Sequence, residues 1–172
     1  MSAKKTLNKL VTASLLAALV CAATMIIKIP SPLNGYINLG DAVVVLAGMI
    51  LSPVYGFLAC GIGSALADLF SGYVIYAPIT FVIKGAMAVI VFYIARLLSK
   101  RIKPFASQLI GCFLAEVFMI LGYFVFEGIL YGFVPSATNI PANAVQGCAG
   151  IILGLILIKA LKNIKSISRY MD

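Results

Sequence analysis

The chain has 172 residues, of which 63% are hydrophobic and 10% are charged, and its formal net charge is +8. This length fits one domain, and a mean hydropathy of +1.12 excludes an ordinary water-soluble domain. Apolar runs of about 20 residues recur along the chain, whereas the polar–apolar alternation of a membrane β-barrel is absent. The sequence therefore predicts an all-α integral membrane protein in which residues 1–172 form a single transmembrane domain.

The predicted elements begin with an apolar span over residues 7–28. Two prolines and a glycine then place a loop over residues 29–38. A short second span over residues 39–51 ends at the tight turn Ser52-Pro53. The first two spans are thus predicted to be joined by a structured, proline-containing loop.

Residues 54–71 form the third predicted span, and a glycine, two tyrosines and a proline place a short loop over residues 72–78. The remaining predicted elements are a span over 79–98, a span over 106–131, a loop over 132–141 and a span over 142–161. We therefore expect six transmembrane helices.

The basic residues support this count. Eleven of the thirteen lie in three clusters, which are Lys4, Lys5 and Lys9; Arg96, Lys100, Arg101 and Lys103; and Lys159, Lys162, Lys165 and Arg169. Basic clusters favour the cytoplasmic side of a membrane. Four spans and then two separate the clusters, so all three share one side. Both termini are predicted to be cytoplasmic, and the positive charge to meet anionic lipid headgroups of the bilayer rather than nucleic acid.

Metal, nucleophile and nucleotide sites are not indicated by the sequence. The four cysteines lie inside apolar runs without a CxxC or CxxH neighbour, and the chain has no histidine. No GxxxxGK[ST] motif is present to bind ATP. We therefore expect no metal, no cofactor and no catalytic residue.

Polar side chains collect in the outer half of the predicted bundle. They are Asp41, Asp68, Lys84, Glu116 near mid-membrane, Glu127, and the pair Asn143 and Gln146 on one face of the last span. A charge at mid-bilayer costs about 2.5–3.5 kcal/mol on insertion scales, so these groups must face inward and find partners. They predict a polar cavity open to the outside. Helix bracing by hydrogen bonds stays an alternative, above all for Asp41, Asp68 and Glu116.

Tyrosines and small residues mark two further features. Tyr36, Tyr73 and Tyr76 lie in the predicted outer loops, where tyrosine either belongs to an interfacial belt or stacks on a planar ligand. In the first span, small residues recur every four positions along two adjacent stripes, Ser14, Ala18 and Ala22, and Ala13, Ala17 and Cys21. Such spacing permits close helix approach, either within this protein or to a partner.

Several stretches together resemble the substrate-binding S component of an energy-coupling factor (ECF) vitamin transporter. Besides the alanine-rich first span, they are IPSPLNGYINLGD, LSPVYGFLACGIGSALADLFSGY, YAPITFVIKGAMA, EVFMILGYFVFEG and PANAVQGCAGIILG. The resemblance covers nearly the whole chain. Within the family, the chain is most similar to members assigned to hydroxymethylpyrimidine or pyridoxine.

The resemblance implies a six-helix protein in a bacterial plasma membrane that captures a vitamin on its outer side. Its partners would be a transmembrane T component and two cytoplasmic ATPases. The family's contact with the T component falls here on Ala13, Ser14, Ala17, Ala18 and Ala22. Serine at position 14, where alanine is usual, is a departure from the pattern.

The resemblance also assigns ligand-binding positions. They are Tyr36 as a roof, Lys84, Tyr123, Glu127, Asn143 and Gln146, and the depth of the polar residues adds Asp68 and the loop tyrosine Tyr76. Lysine suits an acceptor on the ligand, and a carboxylate suits an amine, hydroxyl or ring N–H. Pyridoxine and hydroxymethylpyrimidine fit this set, and riboflavin is a third candidate with a larger footprint.

Three other functions stay open. Asp41 and Asp68 could form the acid–base pair of an intramembrane aspartyl enzyme, although no oxyanion hole is indicated and we expect no enzyme. A membrane scaffold would need no convergent cavity. A stand-alone small carrier or channel would need polar residues in the inner half, where the sequence has few.

Overall fold

The computed structural model describes residues 3–33 and 35–162, with side chains from Thr6 onward. This part of the chain forms seven helices and a two-stranded antiparallel ribbon. In chain order the elements are α1 Ala3–Ile26, β1 Ile29–Pro30, β2 Tyr36–Ile37, α2 Gly40–Ile50, α3 Pro53–Phe70, α4 Ala77–Ser99, α5 Pro104–Tyr131, α6 Phe133–Ala137 and α7 Ile140–Lys162.

The helices begin where the sequence predicts breaks. Pro53 and Pro104 open α3 and α5, and Pro78 lies in the first turn of α4. Proline is well placed there because the first amides of a helix have no partner within the helix. Two predicted loops contain small elements that hydropathy did not indicate, namely the β1–β2 ribbon and the one-turn helix α6.

The second predicted span differs from the others in length. Among the described residues, five helices are long and apolar enough to cross a membrane, and α2 is not one of them. Its 11 residues rise about 16 Å, roughly half of a 30 Å hydrocarbon core. The structure therefore has five helices of spanning length and, as the sequence predicted, a short second one, among the described residues; the count of six transmembrane helices stays a prediction.

Helix α2 lies in the centre of the bundle, and its start is recessed. Asp41, in its first turn, pairs with Lys84, which lies seven residues, or about 10 Å, along α4. Every residue of α2 is buried, and the helix packs against α1, α3, α4 and α7. Its uniformly apolar sequence suits this position, because a helix that is hydrophobic all round has no face for solvent or headgroups.

The other long helices surround α2, with α1 beside α3, α3 beside α4, α4 beside α5 and α5 beside α7. Glycines allow the backbones of neighbouring helices to approach closely, as two positions illustrate. A Cβ at Gly63 of α3 would lie 2.4 Å from the carbonyl oxygen of Ala17, and one at Gly48 of α2 would lie 2.7 Å from that of Ala88. Backbone atoms cannot move aside as a flexible side chain can, so these contacts set the distances of α3 from α1 and of α2 from α4.

The bundle has two different ends. Segments 27–39, 71–76 and 132–139 meet at one end, here called the loop end. The turns at 51–52 and 100–103 lie at the other, here called the basic end. The basic residues with described side chains that the helix order places there are Lys9, Arg96, Lys100, Arg101, Lys103, Lys159 and Lys162.

Four residues of the predicted basic clusters lie outside the described side chains, namely Lys4, Lys5, Lys165 and Arg169. The cytoplasmic location of both termini stays a prediction from the charge pattern.

Candidate ligand-binding site

A polar cavity lies at the loop end, above the recessed start of α2. Its volume is about 40 Å³, which is room for only a few water molecules. Segment 27–39, here called the roof segment, covers it. The lining residues are Thr24, Ser31, Gly35, Tyr36, Asn38, Ser64, Asp68, Tyr73, Tyr76, Thr80, Lys84, Tyr123, Glu127, Asn139, Asn143 and Gln146.

The structure brings all eight predicted ligand-binding residues to this one cavity, from the roof segment, from the loop between α3 and α4, and from α3, α4, α5 and α7. Whether they bind a ligand stays a prediction. The short length of α2 explains the position of the cavity. Because α2 begins about 10 Å inside the bundle, the longer helices around it enclose a space that the roof segment closes.

A buried ion pair forms the floor of the polar cavity. The Lys84 ammonium contacts Asp41 Oδ1, and the Gln146 amide donates to Asp41 Oδ2 at 2.7 Å. The Gln146 carbonyl accepts the backbone N–H of Asn38 at 2.9 Å. A buried ion pair is stable only where hydrogen bonds satisfy its remaining atoms, and Gln146 supplies one. Lys84 also lies 5.7 Å from the centre of the Tyr123 ring, within range of a cation–π contact.

One wall of the cavity is built around Asp68. The Tyr36 hydroxyl donates to Asp68 Oδ1 at 2.7 Å, which ties the roof segment to α3. Burial, with the negative charge of Asp68, raises the pKa of the Tyr36 phenol above its usual value, so Tyr36 stays a donor at neutral pH. The ring of Tyr73 lies 4.7 Å from that of Tyr36. Thr80 also lies near Asp68, and its hydroxyl is 3.0 Å from that of Tyr123.

The opposite part of the lining is built around Glu127. The Asn139 amide donates to Glu127 Oε1 at 2.7 Å, and the Tyr76 hydroxyl donates to the same oxygen at 3.3 Å. Burial, with the nearby Glu127, raises the pKa of the Tyr76 phenol, which therefore stays protonated. Gly132 has a φ of 95°, which allows the reversal after α5 that brings Asn139 back over Glu127.

Eight of the sixteen residues that line the cavity were not among the predicted ligand-binding residues. Two of the missed residues carry a sequence signal, because Ser64 lies four residues before Asp68 and Thr80 four before Lys84, on the same helix faces. Tyr73 was identified only as a loop tyrosine. Residues of the loops carry no periodic signal; among them are Ser31, Gly35, Asn38 and Asn139.

Two buried acids lie outside the lining. Asp41 braces α2 to α4 and α7 through Lys84 and Gln146. Glu116 is buried in α5 against Gly147 and Gly150 of α7, and neither of its oxygens has a hydrogen-bond partner among the described residues. Asp41 and Asp68 bond to different partners, so they do not form the shared-proton pair that an aspartyl enzyme would need.

The five predicted partner-interface residues line an apolar groove between α1 and α3, with a volume of about 720 Å³. The two small-residue stripes have different surroundings. Ser14, Ala18 and Ala22 are exposed, whereas Ala13 is buried and the backbone of Ala17 contacts α3 at Gly63. The role of this α1–α3 groove in partner binding stays a prediction.

Comparisons with known proteins agree with this architecture. The profile of the family described as "ECF-type riboflavin transporter, S component" matches residues 4–163. An uncharacterised protein of Pyrococcus woesei is 38% identical over 136 residues, which cover 78% of this chain and 88% of that protein.

Two solved structures share the fold. One, described as the S component of a bacterial ECF transporter, has a TM-score of 0.76 at 24% identity, covering 93% of this chain and 98% of the other. The other, described as the S component for biotin from an ECF-type ABC transporter, has a TM-score of 0.71 at 16% identity over the whole of both chains.

The family match covers more than nine-tenths of the chain, and its members are transporter subunits rather than enzymes. S components of ECF transporters lie in the cell membrane, bind vitamins and work with a T component and ATPases. With its five long apolar helices around a short central one and a polar cavity at one end, this chain belongs to the S-component family of ECF-type transporters.

Proposed function

We propose that this protein captures pyridoxine or hydroxymethylpyrimidine in the polar cavity and delivers it across a bacterial plasma membrane together with a T component and two ATPases. The observation that carries the proposal is the convergence of Lys84, which pairs with Asp41 beneath the floor, two further carboxylates and four tyrosines on one cavity, at the end opposite the basic end. If the basic end is cytoplasmic, this cavity faces the outside.

The lining suits a small planar ring with polar substituents. The four tyrosines, Tyr36, Tyr73, Tyr76 and Tyr123, offer aromatic faces and edges around the cavity. Asn143, half-buried in α7, can both donate to and accept from a ligand. Pyridoxine and hydroxymethylpyrimidine each combine an aromatic ring with at least one hydroxyl group and at least one ring nitrogen, and so match both features.

The cavity must widen to admit such a ligand, because 40 Å³ is far below the roughly 300 Å³ at the small end of ligand pockets. We expect the roof segment to move, because only a few contacts among the described residues hold it, such as the Tyr36–Asp68 hydrogen bond and the short β1–β2 ribbon. A single-ring vitamin requires less widening than a three-ring one, which favours pyridoxine or hydroxymethylpyrimidine.

Riboflavin is the second candidate, and the description of the matching family profile favours it. Its ring system also fits a tyrosine-rich cavity, and its hydroxylated side chain could donate to the two carboxylates. The two candidates differ chiefly in how far the roof segment must move.

Binding measurements decide between them. We would purify the protein in detergent, identify co-purified small molecules by native mass spectrometry, and titrate pyridoxine, hydroxymethylpyrimidine and riboflavin by calorimetry. Pyridoxine or hydroxymethylpyrimidine should bind in the nanomolar range with one ligand per chain. Tighter binding of riboflavin would select the second candidate, and no heat with any of the three would contradict vitamin capture.

A matched pair of variants tests whether the ligand binds in the polar cavity. Asn143→Ala should weaken binding at least about tenfold, the typical effect of losing a buried hydrogen bond to a ligand. Val145→Ala, two residues further along α7 and exposed, should leave the affinity unchanged. Equal effects of both changes would indicate that the ligand binds elsewhere.

A further inference from the structure

Two carboxylates of the polar cavity share an unusual arrangement in which only one oxygen of each is hydrogen-bonded. Tyr36 donates to Asp68 Oδ1, and both Asn139 and Tyr76 donate to Glu127 Oε1. Asp68 Oδ2 and Glu127 Oε2 are buried and have no partner in hydrogen-bond geometry in the part of the chain that the structure describes.

The Thr80 hydroxyl lies near Asp68, but it pairs at 3.0 Å with the Tyr123 hydroxyl. Asp68 and Glu127 are only 5% and 2% exposed, so each carries the full desolvation penalty of an unbonded acceptor.

Several donors of the lining already bond to protein acceptors. The hydroxyls of Tyr36 and Tyr76 and the amide of Asn139 are directed at the two carboxylates, and the Gln146 amide and Lys84 at Asp41. The carbonyl of Asn139 and the hydroxyl of Ser64 are also buried without a partner among the described residues. Three of these unpartnered oxygens, Asp68 Oδ2, Glu127 Oε2 and the Asn139 carbonyl, can only accept when the carboxylates are ionised, so they suit a ligand that brings donors.

Negative groups also outnumber positive ones in the cavity. Its lining contains the carboxylates of Asp68 and Glu127 and the ammonium of Lys84, and Asp41 beneath the floor neutralises that ammonium. Lys28, the other basic residue outside the predicted clusters, is exposed and donates to Ser71 at 3.1 Å rather than lining the cavity. When both are ionised, Asp68 and Glu127 therefore have no compensating cation of their own among the described residues, in a buried site where charges interact strongly.

We propose that the polar cavity selects a vitamin that carries an amine or a protonated ring nitrogen. Asp68 and Glu127 accept hydrogen bonds from these donors through their free oxygens. This inference rests on the proposed function. Lys84 does not serve as an anion site, because Asp41 holds it. The preferred ligand is a cationic or amino-substituted heteroaromatic compound. Compounds with a carboxylate or phosphate are rejected, because their charge adds to that of two buried carboxylates.

A series of three ligands with one ring tests this selectivity. Pyridoxamine, pyridoxine and 4-pyridoxic acid carry, at the same ring carbon, an aminomethyl, a hydroxymethyl and a carboxylate group. By calorimetry at neutral pH, pyridoxamine should bind at least as tightly as pyridoxine. The acid should bind at least about a hundredfold more weakly, the range expected when a buried charge-assisted contact is replaced by like-charge repulsion. If riboflavin is the vitamin, riboflavin and its phosphate ester form the corresponding pair.

Two near-isosteric substitutions, Asp68→Asn and Glu127→Gln, remove the charge and keep the shape. Each should weaken pyridoxamine binding about tenfold or more and reduce the rejection of 4-pyridoxic acid. The matched control is Glu116→Gln, which makes the same change at a buried acid outside the lining. It should leave the order of the three affinities unchanged.

The outcomes separate the two proposals. Equal affinity for pyridoxine and 4-pyridoxic acid, or an order that survives both Asp68→Asn and Glu127→Gln, overturns the selectivity while vitamin capture stands. If neither the pyridoxine series nor the riboflavin pair binds, vitamin capture fails and the selectivity falls with it. A rejection of 4-pyridoxic acid that either cavity variant reduces, and that Glu116→Gln preserves, establishes the inference.

Discussion

At the scale of single residues, charge pairing decides which buried groups stabilise the fold. Lys84 and Asp41 are both buried, and they are linked to a third residue, Gln146, from α7. Removing one member of a buried pair leaves the other charge without compensation, which costs more than the pair itself contributes. The pair therefore holds α2, α4 and α7 together at the floor of the cavity.

Lys84→Met should destabilise the protein by about 3–5 kcal/mol, because Asp41 would remain buried without its cation. Adding Asp41→Leu should recover much of this loss, since an apolar pair of similar volume needs no compensation. Thermal unfolding in detergent measures both changes. Lys28→Met, at an exposed lysine, is the control and should shift the melting temperature little.

The two glutamates of α5 are expected to respond in opposite directions to the same substitution. Glu116→Met should raise the melting temperature, because neither of its oxygens has a partner among the described residues and its burial is costly. Glu127→Met should lower the melting temperature, because Tyr76 and Asn139 would lose their shared acceptor. A fall at Glu116 as large as that at Glu127 would show that Glu116 has a stabilising partner.

At the scale of elements, the short helix α2 creates the site. A full-length span in its place would fill the space that the polar cavity occupies. All faces of α2 are buried, so other helices must pack closely around it. Glycines on α2 and α3 permit the helix backbones to approach one another. Helix spacing in the bundle therefore depends on a few positions without a side chain.

Gly63→Ala should destabilise the protein by about 1–3 kcal/mol, because its Cβ would lie 2.4 Å from the Ala17 carbonyl and push α3 away from α1. Gly56→Ala, in the same helix, should be neutral or slightly stabilising, because its Cβ would meet only an ordinary contact at 3.5 Å and alanine favours the helix. Denaturation of the two variants in parallel checks the prediction, and similar melting temperatures would contradict it.

At the scale of the whole molecule, the polar cavity and the described residues of the basic clusters lie at opposite ends, and the exposed small residues of α1 run along one side. This separation suits a protein that binds its ligand at one surface and its partners at others. Ligand binding and partner binding should accordingly be separable by mutation.

Ala18→Leu should prevent co-purification with the T component, because a large side chain would fill the exposed part of the α1–α3 groove. Vitamin affinity should not change, since Ala18 does not line the polar cavity. The control is Ala160→Leu, the same change at an exposed position of α7. Loss of the complex with both variants would point to a general effect of added bulk.

The eight residues that meet at the polar cavity were selected with the help of the family resemblance, since the depth of the polar residues also indicated Asp41 and Glu116, which lie outside the lining. The sequence by itself determined the membrane class, the order of the apolar helices, the breaks at Ser52-Pro53 and before Pro104, and the inward direction of the buried charges. These features follow from local composition and from the cost of placing charge in a bilayer, which directs Asp68, Lys84 and Glu127 inward wherever their neighbours lie.

Only the tertiary structure decided that the short α2 is central and recessed from the loop end, that Lys84 pairs with Asp41 rather than with the other acids, and that loop residues such as Asn38 and Asn139 reach the site. It also distinguished the exposed stripe of α1, at Ser14, Ala18 and Ala22, from the packed one. Hydropathy and periodicity describe one helix at a time, whereas these features depend on distances between elements that are far apart in the chain.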